Sequence, residues 1–248
     1  MKALVILPTF NEAGTIAEVI ERVLASTAEV DVLVVDDASP DGTGEIADGV
    51  AAGEPRVTVM HRPGKGGLGP AYLAGFAHGL ARDYDALIEM DSDLSHDPAD
   101  VARLLAVASG ADLVVGSRYV PGGSTVNWSR FRRTLSRAGT LYAKTMLGLP
   151  LSDATSGFRC YRRPVLEAIP LTEIRSEGYA FQIELAWRAW TQGFRTVEIP
   201  IVFTERREGA SKMSRAIVVE ALWRVTLWST RRRRPPKAPH PASVRSAS

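Results

Sequence analysis

Five short apolar runs, at residues 3–7, 32–35, 57–60, 86–90 and 113–115, recur through the first half of the chain with helix-length stretches between them. Most contain no polar residue, so they do not show the alternation of a strand with one face in water. Strands of that kind are covered on both sides, and strands that alternate with helices form a mostly parallel sheet. The fold class expected is therefore α/β, with helices on both faces of the sheet. Thr15 and Glu18 give a capping-box signal for the first helix, ahead of apolar periodicity through Leu24. Further helices are predicted over 42–52, 67–82 and 98–108. With 248 residues, 45% of them hydrophobic, the chain can bury one substantial core, and a single domain accommodates it.

Beyond Gly116 the pattern changes. A Gly- and Ser-rich loop at 121–125 precedes SRFRRTLSRAGTLYAKTMLGL, a helix-like segment with five basic residues (Arg130, Arg132, Arg133, Arg137 and Lys144) and no acid. A second helix-like segment follows at 179–192, then a strand-like VEIPIVF at 197–203. The last segment, 231–248, holds five Arg and one Lys without an acid, and opens with the run Arg231 to Arg234. The whole chain has a formal charge of +2, so the remainder carries −4 once those six positive charges are set aside. Such a tail reads as disordered and drawn to anionic lipid headgroups or nucleic acid, or as solvated with no partner. Just before it, 213–229 is too short for a bilayer span and is interrupted by Arg215, Glu220 and Arg224. Trp223 and Trp228 suit a helix lying at a membrane interface, the alternative being a helix packed on the protein's own core. A single cysteine, Cys160, excludes an internal disulfide, and the N-terminus lacks a secretory pattern, so a cytoplasmic compartment is expected.

In open α/β sheets ligands bind beyond the carboxyl ends of the strands. Here the first exit reads Pro8-Thr9-Phe10-Asn11-Glu12, the second Asp36-Asp37-Ala38-Ser39-Pro40-Asp41-Gly42-Thr43, and the fourth Asp91-Ser92-Asp93. Carboxylates converging on one edge repel unless a cation joins them. Asp91 and Asp93 stand two apart at a strand exit, where period-two geometry sends both side chains the same way. Hard oxygen ligands without a Cys or His cluster favour Mg2+ or Mn2+, which bind through one or two carboxylates plus substrate phosphates.

A competing signal is Gly64-Lys65-Gly66-Gly67-Leu68-Gly69, which fits the dinucleotide fingerprint and has Glu89 and Asp91 downstream. It follows the third strand, however, and a dehydrogenase leaves both acidic turns without a task. The preferred reading is that these glycines let a loop and a helix start pack closely, with Lys65 near a nucleotide.

PTFNE, VDDASPDGTG, GKGGLGPAYLAGF, MDSDLSHDP, GSRYVPGG, NWSRFRRTLSRAG, DATSGFRCYRR, GYAFQIELAWRA and FTERREGASKM occur in this order. Together they resemble the inverting GT-A glycosyltransferases and, among these, the polyprenol-phosphate (dolichol-phosphate) mannose synthases. The resemblance implies a single GT-A domain over 1–230, with a nucleotide-binding half to 115 and an acceptor-binding half over 116–230, followed by the tail. It implies a donor pocket from Pro8, Phe10, Glu12, Val35 and Asp37, with Ser92 near the nucleotide-sugar, and a metal site at Asp91 and Asp93. Arg118, Arg206 and Lys212 would bind phosphate, and Arg118 with Arg137 the acceptor phosphate. Asp93, Arg118 and Lys212 are the catalytic candidates. Phe10 stands where many relatives have Tyr, and Ser95, the candidate third metal ligand, where many have Gln. The C-terminal membrane spans of some relatives are missing, which implies a peripheral protein at the cytoplasmic membrane face, alone or held by an anchoring partner.

The reaction implied moves mannose from GDP-mannose to a polyprenyl phosphate. A lipid phosphate, with a second pKa near 6, is ionised at neutral pH and needs no strong general base. Alternatives are another hexosyl donor, the dehydrogenase, and a non-catalytic membrane-surface adaptor, the last disfavoured by the intact Asp91-Ser92-Asp93 and the lysine-bearing segment at Lys212. No nucleic-acid partner is expected.

Overall fold

The computed structural model describes residues 1–205 and 215–230. In chain order the strands are β1 (Ala3–Thr9), β2 (Val30–Asp36), β3 (Val57–His61), β4 (Ala86–Glu89), β5 (Leu113–Ser117), β6 (Ser124–Val126), β7 (Arg159–Arg162), β8 (Thr196–Pro200) and β9 (Val202–Thr204). The helices are α1 (Ile16–Ser26), α2 (Thr43–Gly53), α3 (Leu68–Leu80), α4 (Asp100–Ala108), α5 (Arg130–Leu147), α6 (Arg163–Ala168), α7 (Gly178–Thr191) and α8 (Arg215–Thr230). Seven strands form one sheet in the order β3-β2-β1-β4-β7-β5-β8, and β6 pairs with β9 beside it.

The apolar runs are strands because both of their faces are covered. Along β1, Leu4 and Ile6 join a core shared with α3, α5, α6, α7 and α8, whereas Ala3, Val5 and Leu7 join a second core against α1 and α4. Successive side chains of a strand point to opposite faces, so one unbroken run supplies two cores.

Several expectations need correction. The sheet is parallel except at its centre, where β7 lies antiparallel between β4 and β5 and inserts the chain's second half into it. Its sequence, RCYR, has only two apolar residues, Cys160 and Tyr161, which enter the two cores, and neighbouring backbone receives its first arginine. Arg159 is wholly buried and donates to the carbonyls of Ala154, Ser156 and Gln182 at 2.5–2.7 Å. VEIPIVF is two strands, broken at Ile201, whose N–H bonds the Ser117 carbonyl, and the predicted loop at 121–125 runs into β6. Thr15 precedes α1 without capping it; its hydroxyl donates instead to the Ser92 carbonyl at 2.8 Å. In the segment 213–229, of which residues 213 and 214 lie outside the described residues, the two tryptophans face different surroundings. Trp228 is buried and stacks on Trp187 with centroids 5.8 Å apart, whereas Trp223 is 68% exposed. No helix among the described residues is long and apolar enough to cross a membrane.

Candidate active site

The carboxyl ends of β1, β2 and β4 meet in three turns, and each contains a non-glycine residue with left-handed backbone: Asn11 at φ 61°, Ala38 at 54° and Leu94 at 61°. For Ala and Leu this conformation is strained and persists only where the surroundings impose it. The turns are laced together. Ser92 donates to the Pro8 carbonyl at 2.8 Å, and the Glu12 N–H donates to Thr43 Oγ1 at 2.9 Å. Thr9 and Ser39 donate to Asp36, while Ala13 and Thr43 donate to Asp41. Burial raises the Asp41 carboxyl, but the bonds from Thr43 and Ala13 outweigh it and hold the group below its ordinary range.

This lacing revises the picture of carboxylates waiting for one cation. Asp37, predicted in the donor pocket, is buried and accepts from Arg62 at 2.6 Å and from the N–H groups of Gly66 and Gly67 at 2.9 and 3.2 Å. The glycine motif is thus folded around a carboxylate. Gly67 needs its positive φ of 91°, and a Cβ on Gly69 would lie 2.8 Å from the Ser176 carbonyl. The loop brings Lys65 to 4.1 Å from the centre of the Phe10 ring, at the predicted nucleotide pocket. Val35 is wholly buried in the core, so its side chain does not line that pocket.

Asp91 and Asp93 occupy the remaining exit. The Asp93 side chain is nearly buried, that of Asp91 is 32% exposed, and the Ser95 N–H donates to Asp93 Oδ1 at 3.0 Å. Ser95 Oγ is buried with no hydrogen-bond partner, in the turn that carries the two carboxylates. Among the described residues no group of three or more His, Cys, Asp or Glu side chains is placed to hold a metal. A pair of carboxylates with a hydroxyl fits Mg2+ or Mn2+, whose remaining ligands are waters and substrate phosphates.

Below this exit, Glu89 is fully buried, and the desolvation pushes its carboxyl up to about 8 against the opposing charge of Arg159. His96 is also buried, beside Asp91. Desolvation holds its imidazole down to about 4, so at neutral pH the ring is uncharged and its Nδ1 accepts the Asp91 N–H at 3.3 Å.

Across the sheet, Arg118 follows β5 and is 5% exposed. Its Nε and Nη2 each lie 2.6 Å from Asp153, and Nη2 also donates to Thr155 at 2.9 Å and Ser136 at 3.4 Å. Burial opposes the charge, yet Asp153 keeps the guanidinium protonated beyond its ordinary range, and the same pairing pulls the buried Asp153 carboxyl down. Arg118 and Arg137 flank one ring, that of Tyr119, at 5.4 and 5.0 Å, and Arg118 also faces Trp128 and Phe203. The two predicted acceptor-phosphate residues are therefore together. Arg206 and Lys212 lie outside the described residues. Asp153, Thr155, Ser136, His96 and Tyr179 were not assigned from sequence. Only their place inside DATSG, the Ser-Arg pair, MDSDLSHDP and GYAFQIEL marked them.

The family model for glycosyl transferase family 2 matches residues 4–169. The chain belongs to that family. It is 52% identical over 234 residues to a polyprenol monophosphomannose synthase of Mycolicibacterium smegmatis, covering 94% of this chain and 88% of that protein. It is 53% identical over 228 residues to an undecaprenyl-phosphate mannosyltransferase of Micrococcus luteus, covering 92% and 94%. Among solved structures it is similar to glucosyl-3-phosphoglycerate synthase of Mycobacterium tuberculosis in complex with Mn2+, UDP-glucose and phosphoglyceric acid. That likeness has a TM-score of 0.67 and 22% identity, over 94% of this chain and 81% of that one. The α/β fold of GT-A type is thus shared, and this family 2 protein is a glycosyltransferase. The dehydrogenase suggested by the glycine motif and the non-catalytic adaptor are both set aside.

Proposed function

We propose that this glycosyltransferase moves mannose from GDP-mannose to a polyprenyl monophosphate, with inversion at the anomeric carbon. The observation that carries the reading is a cavity of about 310 Å³ between α5, α7 and α8. Leu135, Tyr142, Ile183, Leu222 and Val225 wall it, Ser136, Thr155 and Tyr179 also line it, and the surface it presents is almost wholly apolar. Ser136 and Thr155 are the hydroxyls that Arg118 grips. A ligand with phosphate at one end and hydrocarbon at the other suits this succession of surfaces, and the relatives named for polyprenyl acceptors support it. The donor is assigned to the turns after β1 and β2, with Lys65, Arg206 and Lys212 toward its phosphates.

In this reading an ionised oxygen of the lipid phosphate attacks the anomeric carbon. The bond from that carbon to the nucleoside diphosphate breaks, and the diphosphate leaves with the electron pair. No side chain has to remove a proton, so the residues act by placement and charge: Arg118 and Arg137 align the acceptor and hold its negative charge. Bound Mg2+ or Mn2+, held by Asp91 and Asp93 with Ser95 as the candidate third ligand, would stabilise the charge of the departing diphosphate.

The protein is also proposed to work at the cytoplasmic face of a membrane, with or without an anchoring partner. Val219, Leu222, Trp223 and Leu227 of α8, with Phe131 and Leu141 of α5, are exposed large apolar residues. Arg130, Arg137 and Lys144 are exposed on α5 alongside them. Apolar and cationic groups on one surface suit anionic lipid.

The test is the purified protein with a panel of nucleotide-sugars and a short polyprenyl phosphate. Transfer from GDP-mannose is expected; transfer from UDP-glucose alone would replace the donor assignment. Filling the cavity with Ala221→Trp should raise the acceptor KM and leave the donor KM unchanged, and equal effects on both would remove the cavity from the reading.

A further inference from the structure

The turn that carries Asp91 and Asp93 does not hold its shape by itself. Leu94, between Asp93 and Ser95, has left-handed backbone at φ 61°, which for a leucine needs external support. Two contacts supply support from one side. The Thr204 N–H of β9 donates to the Ser95 carbonyl at 3.0 Å, and His96 is gripped between Phe158, just before β7, and Phe203 of β9. The His96 and Phe158 ring centroids are 4.9 Å apart, those of His96 and Phe203 5.1 Å and nearly perpendicular, and only 1% of His96 is exposed. From that fixed position Nδ1 reaches back across the turn to the Asp91 N–H at 3.3 Å.

We infer that His96 is the positioning residue of the metal-binding turn: its Nδ1 fixes the Asp91 backbone, and the two phenylalanines fix the ring. The inference rests on the proposal that Asp91 and Asp93 hold a divalent cation. Phe203 in turn packs edge-on against Trp128 at 5.1 Å, and the Arg118 guanidinium faces both rings. One aromatic column therefore runs from the metal turn to the acceptor arginine. A histidine buried this deeply makes no contact with a substrate, so its influence on transfer would pass through Asp91.

The experiment separates the ring from its nitrogen. His96→Phe keeps the aromatic packing and removes the acceptor; His96→Asn places an oxygen near Nδ1, and His96→Gln places one near Nε2 instead. Mn2+ is titrated into the purified full chain and free ion is followed by electron paramagnetic resonance, with thermal unfolding of the metal-free protein measured alongside. His96→Phe and His96→Gln should weaken Mn2+ binding by about 10- to 100-fold, the range found when partners behind metal ligands are removed, and His96→Asn should restore most of it. In the transfer assay the same two variants should need more Mn2+ for half-maximal rate, with the acceptor KM unmoved at saturating metal. Wild-type Mn2+ affinity in His96→Phe, or equal weakening in His96→Asn and His96→Gln, would overturn the inference. Unchanged Mn2+ binding in Asp91→Asn would refute the metal assignment itself, and this inference with it. Should His96→Phe not fold, the Asn and Gln pair decides.

Discussion

Replacing Asp153 by Ala tests whether one buried ion pair holds the acceptor side of the site. Its side chain is wholly enclosed and accepts from the Arg118 backbone N–H at 3.0 Å and from Nε and Nη2 at 2.6 Å each. Without it the guanidinium stays buried with only Thr155 and Ser136 among these partners. Removing one member of such a pair costs about 3–5 kcal/mol, because the other charge is left uncompensated. For a domain of this size each kcal/mol lowers the melting temperature by about 2–4 °C, so a fall of about 6–20 °C is expected by calorimetry. The carboxyl is held low by Arg118, so its contribution is present above the ordinary carboxylate range and is lost only as pH falls through the lower folded value. Wild type and variant should therefore converge in acid. The pair Arg118→Met with Asp153→Leu should recover most of the stability, since a buried ion pair replaced by apolar groups is often neutral. It should recover none of the transfer. A fall below about 2 °C in Asp153→Ala would refute the weight given to the ion pair, and an active double variant would refute the assignment of Arg118 to the acceptor phosphate.

Asp91→Ala and Asp93→Ala should each abolish transfer, and EDTA should inhibit the wild type reversibly; full activity in metal-free buffer would end the metal proposal. Trp223→Ser should reduce co-sedimentation with anionic vesicles at unchanged melting temperature, whereas Trp228→Ser should cost about 3 kcal/mol or more, because it empties a packed site against Trp187. Glu89, raised to about 8 by burial, binds its proton more tightly when folded, so stability should fall as pH rises from about 4.5, its unfolded value, toward 8. Glu89→Gln should remove that slope in thermal melts between those pH values, and an unaltered slope would show that the carboxyl is not the source.

The α/β class, the first five strands and the acidic exits were legible in the amino-acid sequence, because each depends on neighbours in the chain. A run such as Ala3 to Leu7 is apolar on both sides, and no tertiary information is needed to place it inside a covered sheet. The Asp91 and Asp93 pair was legible for the same reason, two residues apart at the end of such a run. The fold alone decided what each polar group does once there. Asp37 looked like a ligand residue, yet it is engaged by Arg62 and the glycine loop, 25 to 30 positions away. Thr15 looked like a helix cap and bonds Ser92, 77 positions away. β7 has only two apolar residues, Cys160 and Tyr161, between arginines, and Arg159 can be buried there once three carbonyls are brought to its guanidinium. The two tryptophans of α8 read alike in sequence, and only the packing of α7 sends Trp228 inward and leaves Trp223 outside. Local pattern fixes which segments must be buried, whereas partners distant in the chain fix which charges are satisfied and which remain for chemistry.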